Sequence, residues 1–200
     1  GEGIETSWDD KNGLIQEEIT YKDGKKNGKK THWYNYDDSH YLSYEGGNKD
    51  DKRDGKWTYW NENGQKESEI NYKDGVIDGN STEWHENGQK ELEEYYKDGI
   101  PDGEWTSWFE NGLQSGGGNF KDGTGRMLYL HENKKKSQEG IFKDGSGKLT
   151  WWYESGQKYS EDNYKEGRYH GYSTSWYGDG MIRRESFWTD GECISGDCPD

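Results

Sequence analysis

The sequence contains no alanine and a single valine, Val76, in 200 residues. Alanine is the best helix former and glycine among the worst, so its absence beside 30 glycines argues against a mainly helical protein. Basic residues are also short, 26 Lys and Arg against 41 Asp and Glu, which leaves a net charge of −15. Phosphate contacts need Lys and Arg, so nucleic acid and anionic lipid are not expected partners. A basic protein suits this charge. No apolar run approaches the roughly 20 residues of a membrane span, so no membrane insertion is expected. No signal peptide is legible, and a chain beginning at Gly1 leaves an upstream segment open. The two cysteines, Cys193 and Cys198, are too few for a four-ligand metal site. They could close a small disulfide loop, which would favour a secreted or cell-surface protein, whereas free thiols would favour the cytoplasm.

With 26% hydrophobic and 34% charged residues and a mean hydropathy of −1.52, the composition approaches that of disordered chains. Against this stand 11 Trp, 16 Tyr and 4 Phe, regularly placed. Trp8, Trp33, Trp60, Trp84, Trp108, Leu130, Trp152 and Trp176 each follow a glycine by five residues, and all but Leu130, which follows Leu128, come two residues after a threonine. A second aromatic column is read at Tyr21, Tyr44, Tyr72, Tyr96, Phe120, Phe142, Tyr164 and Trp188, with a glycine three residues beyond each. The result is eight repeats starting near Gly3, Gly28, Gly55, Gly79, Gly103, Gly125, Gly147 and Gly171, filling residues 1–192, with 193–200 as a tail or cap.

Each repeat reads as a β-hairpin. Its first strand ends at Asn-Gly, which favours a type I′ turn, and its second ends at Lys-Asp-Gly. Repeat two, with "YNYDDSHYLSY" and "NKDDKRD", and repeat six, with Asn133-Lys134, depart most. The fold expected is an all-β, elongated single-layer antiparallel sheet of about eight stacked hairpins, roughly 75 Å long at 4.8 Å per strand. The recurrent Thr and Trp share one face as the ladder that holds neighbours together. The opposite face carries Trp57, Tyr59, Trp105, Met127, Tyr129, Leu149 and Trp151. Exposed, these would form an aromatic partner-binding patch; alternatively that face curls on itself and buries them. The face of the second aromatic column is left open, because it depends on turn register.

The stretches "WNENGQK…YKDG" and "WHENGQK…YYKDG" of repeats three and four resemble the MORN repeat, more closely its bacterial variant in YwqK-type antitoxin proteins. The resemblance implies a twisted antiparallel sheet and a scaffold, lipid-associated or antitoxin role, with no catalytic residues to carry over. The acidic charge counts against the lipid role. No catalytic, cofactor or metal site is read from the residues. His32, His40, His85, His131 and His170 are scattered, and the Asp-Gly pairs read as turns rather than calcium loops. The functional expectation is a non-enzymatic interaction or scaffold module, antitoxin- or immunity-like in binding a basic toxin-like protein. The alternative is a secreted or surface repeat protein that self-associates by end-to-end or edge pairing, or holds glycans on exposed aromatics.

Overall fold

The computed structural model describes residues 1–36 and 39–199, and its regular elements are all β-strands. The chain divides into two compact units, Gly1–Ile100 and Pro101–Asp200. In the first, β1 (Glu2–Trp8), β2 (Ile15–Lys22), β3 (Lys25–Tyr36), β4 (Ser39–Lys49), β5 (Lys52–Trp60), β6 (Lys66–Lys73), β7 (Val76–Trp84) and β8 (Lys90–Lys97) form a meander, each antiparallel to the next. The two-residue β9 (Ile100–Pro101) follows. The second unit repeats the plan with β10 (Gly103–Trp108), β11 (Gln114–Lys121), β12 (Thr124–Leu130), β13 (Lys136–Lys143), β14 (Ser146–Trp152), β15 (Lys158–Lys165), β16 (Arg168–Trp176), β17 (Ile182–Thr189) and β18 (Glu192–Gly196). A disulfide joins Cys193 of β18 to Cys198 just beyond it.

The two kinds of turn exchange the roles expected of them. Type I′ geometry belongs to Asp-Gly, not Asn-Gly: Asp74 and Gly75 have φ of 50° and 92°, and Lys73 pairs directly with Val76. At Asn63-Gly64 only the glycine has positive φ. The loop there is longer, closed by Gly64 N–H donating to Asn61 O and Asn61 N–H donating to Gln65 O, both at 2.9 Å. Asn, Asp or Ser side chains cap these turns: Asn87 Oδ1 accepts from Gln89 N–H two residues on at 2.9 Å, and at Asn63-Gly64 Asn61 Oδ1 accepts from Gln65 N–H at 3.0 Å. Successive Asp-Gly turns are tied together as well. Gly75 N–H donates to Arg53 O and Gly99 N–H to Ile77 O, so each turn is hydrogen-bonded to the strand start one repeat before.

Repeat two is displaced from its expected register. Gly28 pairs with Asn48 as Gly55 pairs with Tyr72, so Asn48, not Tyr44, occupies the second-column position. The following "KDD" is then the Lys-Asp-Gly turn with an aspartate in the glycine's place, Asp50 and Asp51 having φ of 48° and 68°. Asp37 and Asp38, in the segment that replaces the Asn-Gly turn, lie outside the described residues. In repeat six Lys134 holds a φ of 65° where the other turns have glycine. A side chain in that region costs about 1–2 kcal/mol, so Lys134→Gly is expected to raise stability by about 1 kcal/mol, read as a shift in urea midpoint at unchanged m-value.

Each first strand meets its partner with a one-residue bulge at the tryptophan: Tyr59 pairs with Ser68 but Trp60 with Lys66, leaving Glu67 unpaired. This fixes the faces. Thr58 opposes Glu69 on one side of the sheet, while Trp57 opposes Ile70 and Gly55 opposes Tyr72 on the other. The second aromatic column therefore lies on the Trp57 face, away from the Thr and Trp ladder.

Candidate binding faces

The ladder face is built from a residue type the periodicity did not single out. A glutamate stands opposite the ladder threonines of the first unit: Glu18 between Thr6 and Thr31, Glu45 between Thr31 and Thr58, and Glu69 between Thr58 and Thr82. In the second unit Glu161 lies between Thr150 and Thr174. The signal was present, since a glutamate precedes the second-column position by three residues in nearly every repeat. Cations flank these carboxylates. Lys56 and Lys66 lie 3.1 and 2.7 Å from Glu69, and Lys148 and Lys158 lie 2.8 and 2.6 Å from Glu161. Glu45 pairs with Lys29, Glu93 with Lys90, and Glu139 with Arg126 and Lys136. Partial burial works against ionisation of Glu69 and Glu161, but the paired ammonium groups win and hold both below the usual carboxylate range. The same lysines reach the next hairpin: Lys66 Nζ sits 5.2 Å from the Trp84 ring centre, Lys136 5.4 Å from Trp152 and Lys158 5.6 Å from Trp176. Thr, Glu, Lys and Trp thus form a self-saturating unit that binds hairpin to hairpin where Lys66, Lys136 and Lys158 stand.

The opposite, aromatic face packs on itself. Trp57 is 2% exposed and Trp105 6% exposed, so neither belongs to an exposed patch. Tyr59, Met127, Tyr129, Leu149 and Trp151 are half-buried. Small residues opposite the large ones are the physical reason. The Trp57 ring lies where a Cβ on Gly46 would come within 2.2 Å, its paired residue. Gly118 stands likewise under Trp105, and Gly140 between Met127 and Leu149. Trp57 Nε1–H donates to Gly47 O at 2.8 Å. Arg53 covers the ring at 4.5 Å, and its guanidinium donates to the hydroxyls of Tyr59 and Tyr72 at 2.8 and 3.1 Å. Burial, with Tyr72 beside it, pushes the Tyr59 phenol up to about 12.

Beyond this aromatic cluster, still in the first unit, the aromatic face turns acidic. Glu83, Glu94 and the bulge residues Glu67 and Glu91 come together around β7. Partial desolvation, then the charges of Glu91, Glu94 and Glu67, push the Glu83 carboxyl above its ordinary range. Glu94 accepts from the Tyr96 hydroxyl at 2.8 Å, and Glu91 lies 3.7 Å from His85 Nδ1. No lysine or arginine pairs with Glu67, Glu83 or Glu94 among the described residues.

A chain of repeated antiparallel hairpins, bonded neighbour to neighbour with a self-saturated face, defines a repeat module. Three stretches, residues 53–74, 77–98 and 146–166, match the MORN repeat variant. Repeats of that family are in general non-catalytic and are thought to mediate binding. No curated protein matches the chain.

Proposed function

We propose that the chain is a binding module whose acidic stretch of the aromatic face, Glu67, Glu83, Glu91 and Glu94, takes up a basic segment of a partner protein. The observation that carries this is a contrast between faces. Ladder glutamates such as Glu69 and Glu161 are held between lysines, whereas Glu83 and Glu94 crowd other carboxylates with no cationic partner among the described residues. Like charges gathered this way raise the free energy of the unbound protein, and a partner's Lys or Arg side chains relieve it. The neighbouring Tyr96 supplies a ring that accepts a cation on its face. Occlusion of a basic toxin in the manner of an antitoxin or immunity protein is one such use, with charge speeding association.

The test uses two baits, the native chain and Glu83→Gln/Glu94→Gln, in pull-downs from the source lysate and medium at low and high salt. The expected result is one protein rich in Lys and Arg, retained at low salt, released at high salt, and bound about tenfold more weakly by the double variant, as two surface ion pairs allow. Equal retention by both baits overturns the reading, as does recovery of only the bait itself or of polysaccharide. Glu83→Gln alone is expected to raise thermal stability slightly. A carboxyl whose folded pKa is raised destabilises the fold when ionised, and the amide removes that charge.

A further inference from the structure

At one place in the second unit the ladder is broken in all but one of its components at once. In repeat three the unit consists of Lys56, Thr58, Glu69 and Lys66, with Lys66 lying over the next tryptophan, Trp84. The corresponding residues of repeat five are Glu104 for Lys56, Gly117 for Glu69 and Gln114 for Lys66, while Leu128 and Leu130 of repeat six stand where the next threonine and tryptophan belong. Only Thr106 keeps its type. A single altered position would be ordinary drift in a repeat. Here the central carboxylate, both its cations and the next aromatic platform are all replaced.

The replacement opens a groove of about 410 Å³ bordered by these residues. Its floor is Gly117, paired with Thr106 on one side and Leu128 on the other. Leu128 and Leu130 give it an apolar wall, and Gln114 turns its amide back to donate to Gly116 O at 3.0 Å. Glu104, exposed at the rim, has no cationic partner among the described residues. The positive group nearest in the pattern, Arg126, is committed to Glu139. Elsewhere on this face the sheet furnishes its own lysine, whose aliphatic stem lies on an apolar surface and whose ammonium meets a carboxylate. In the groove Leu128 and Leu130 give the apolar wall, Glu104 gives a carboxylate where repeat three has Lys56, and the lysine is missing.

We propose that this groove is a binding site for a lysine or arginine side chain of a partner protein, its stem on Leu128 and Leu130 and its charge on Glu104. The vacancy left by the glutamate side chain at Gly117 admits the stem, and the reversal of charge at residue 104 selects a cation. The site lies on the ladder face of the second unit and does not depend on the acidic cluster of the first.

The experiment is an NMR titration of the full chain with the acetylated, amidated tripeptide Gly-Lys-Gly and with its twin carrying Nε-acetyl-lysine. The amides of Gly116, Gly117 and Gly118 are expected to shift saturably with the lysine peptide, and the neutral twin to bind about fivefold more weakly, the scale of one surface charge pair. Gly117→Glu puts back the side chain that the other repeats carry at this position and fills the groove. A Cβ there meets only Gln114 Nε2 at 3.0 Å and Trp105 O at 3.3 Å, so small adjustments accommodate it. That variant is expected to keep the spectrum of a folded chain and lose the titration. Glu104→Lys, at an exposed position, is expected to do the same and serves if Gly117→Glu does not fold. No shift at the three glycines, equal shifts with the neutral twin, or binding that survives either folded variant would falsify the proposal.

Discussion

Trp57→Ala is expected to lower the stability of the first unit by about 3–5 kcal/mol, as for removal of a large buried aromatic. The ring is the most deeply buried large side chain described, packed against Tyr44 and Tyr72 and capped by Arg53. Removing it leaves a cavity on a sheet with little other apolar material, and orphans the Gly47 carbonyl that its indole N–H satisfies. Native-state hydrogen exchange is the suitable readout, because a repeat array opens locally and a global midpoint would average the loss away. Amides of β4, β5 and β6 should lose protection first. Gly46→Ala attacks the same contact from the other side, since its Cβ would stand 2.2 Å from the ring. The two changes together should cost less than their sum, because alanine at 57 removes what alanine at 46 collides with. A loss below about 1 kcal/mol for Trp57→Ala would show that this face is not the core of the unit.

Much of this architecture could be read from the residues because turn chemistry is local. The spacing of Asp-Gly, the short aromatic strands and the lack of helix formers lead to stacked hairpins without any knowledge of distant contacts. What escaped depends on a single unpaired residue. The bulge that skips Glu67 shifts pairing by one, and in a strand of period two that moves every later side chain to the other face. Neither Asn-Gly nor Asp-Gly announces how many residues its loop contains, so the type I′ turn was assigned to the wrong one of two similar dipeptides. The same parity hid the difference between the glutamates. Glu69 and Glu83 are both strand glutamates near aromatic residues, yet one falls between two lysines and the other among carboxylates. The alternation of their strands puts Trp57 and Trp105 on one face but leaves open whether that face is exposed or packed. The glycines that let their rings lie flat, Gly46 and Gly118, are on neighbouring strands, and only the register brings them opposite.

The glycine that opens each repeat gives a second large effect and its own control. Gly103, Gly125 and Gly147 are spaced by 22 residues, whereas Gly55 and Gly79 are spaced by 24. The longer connection, Lys-Asp-Gly followed by three residues, holds a bulge in which Gly55 and Gly79 take φ of 83° and 109°. The shorter one, as in "KDGSG", has no room for it, and β13 pairs with β14 without a shift in register. Gly147 then takes ordinary backbone angles, but a Cβ there would stand 2.1 Å from Ile141 O and 2.8 Å from the Phe142 ring. The obstacle is backbone and cannot rotate away. Gly147→Ala is therefore expected to cost about 3 kcal/mol, the upper end of overpacking penalties. Gly55→Ala, with open space around it but a positive φ, is expected to cost about 1 kcal/mol. Gly3→Ala has neither obstacle and should change stability by less than about 0.5 kcal/mol. Three identical substitutions at one position of the repeat thus separate steric exclusion from backbone conformation, with urea titration and amide exchange as the measurements. Equal losses at all three would mean that the connection length does not govern how the hairpins join.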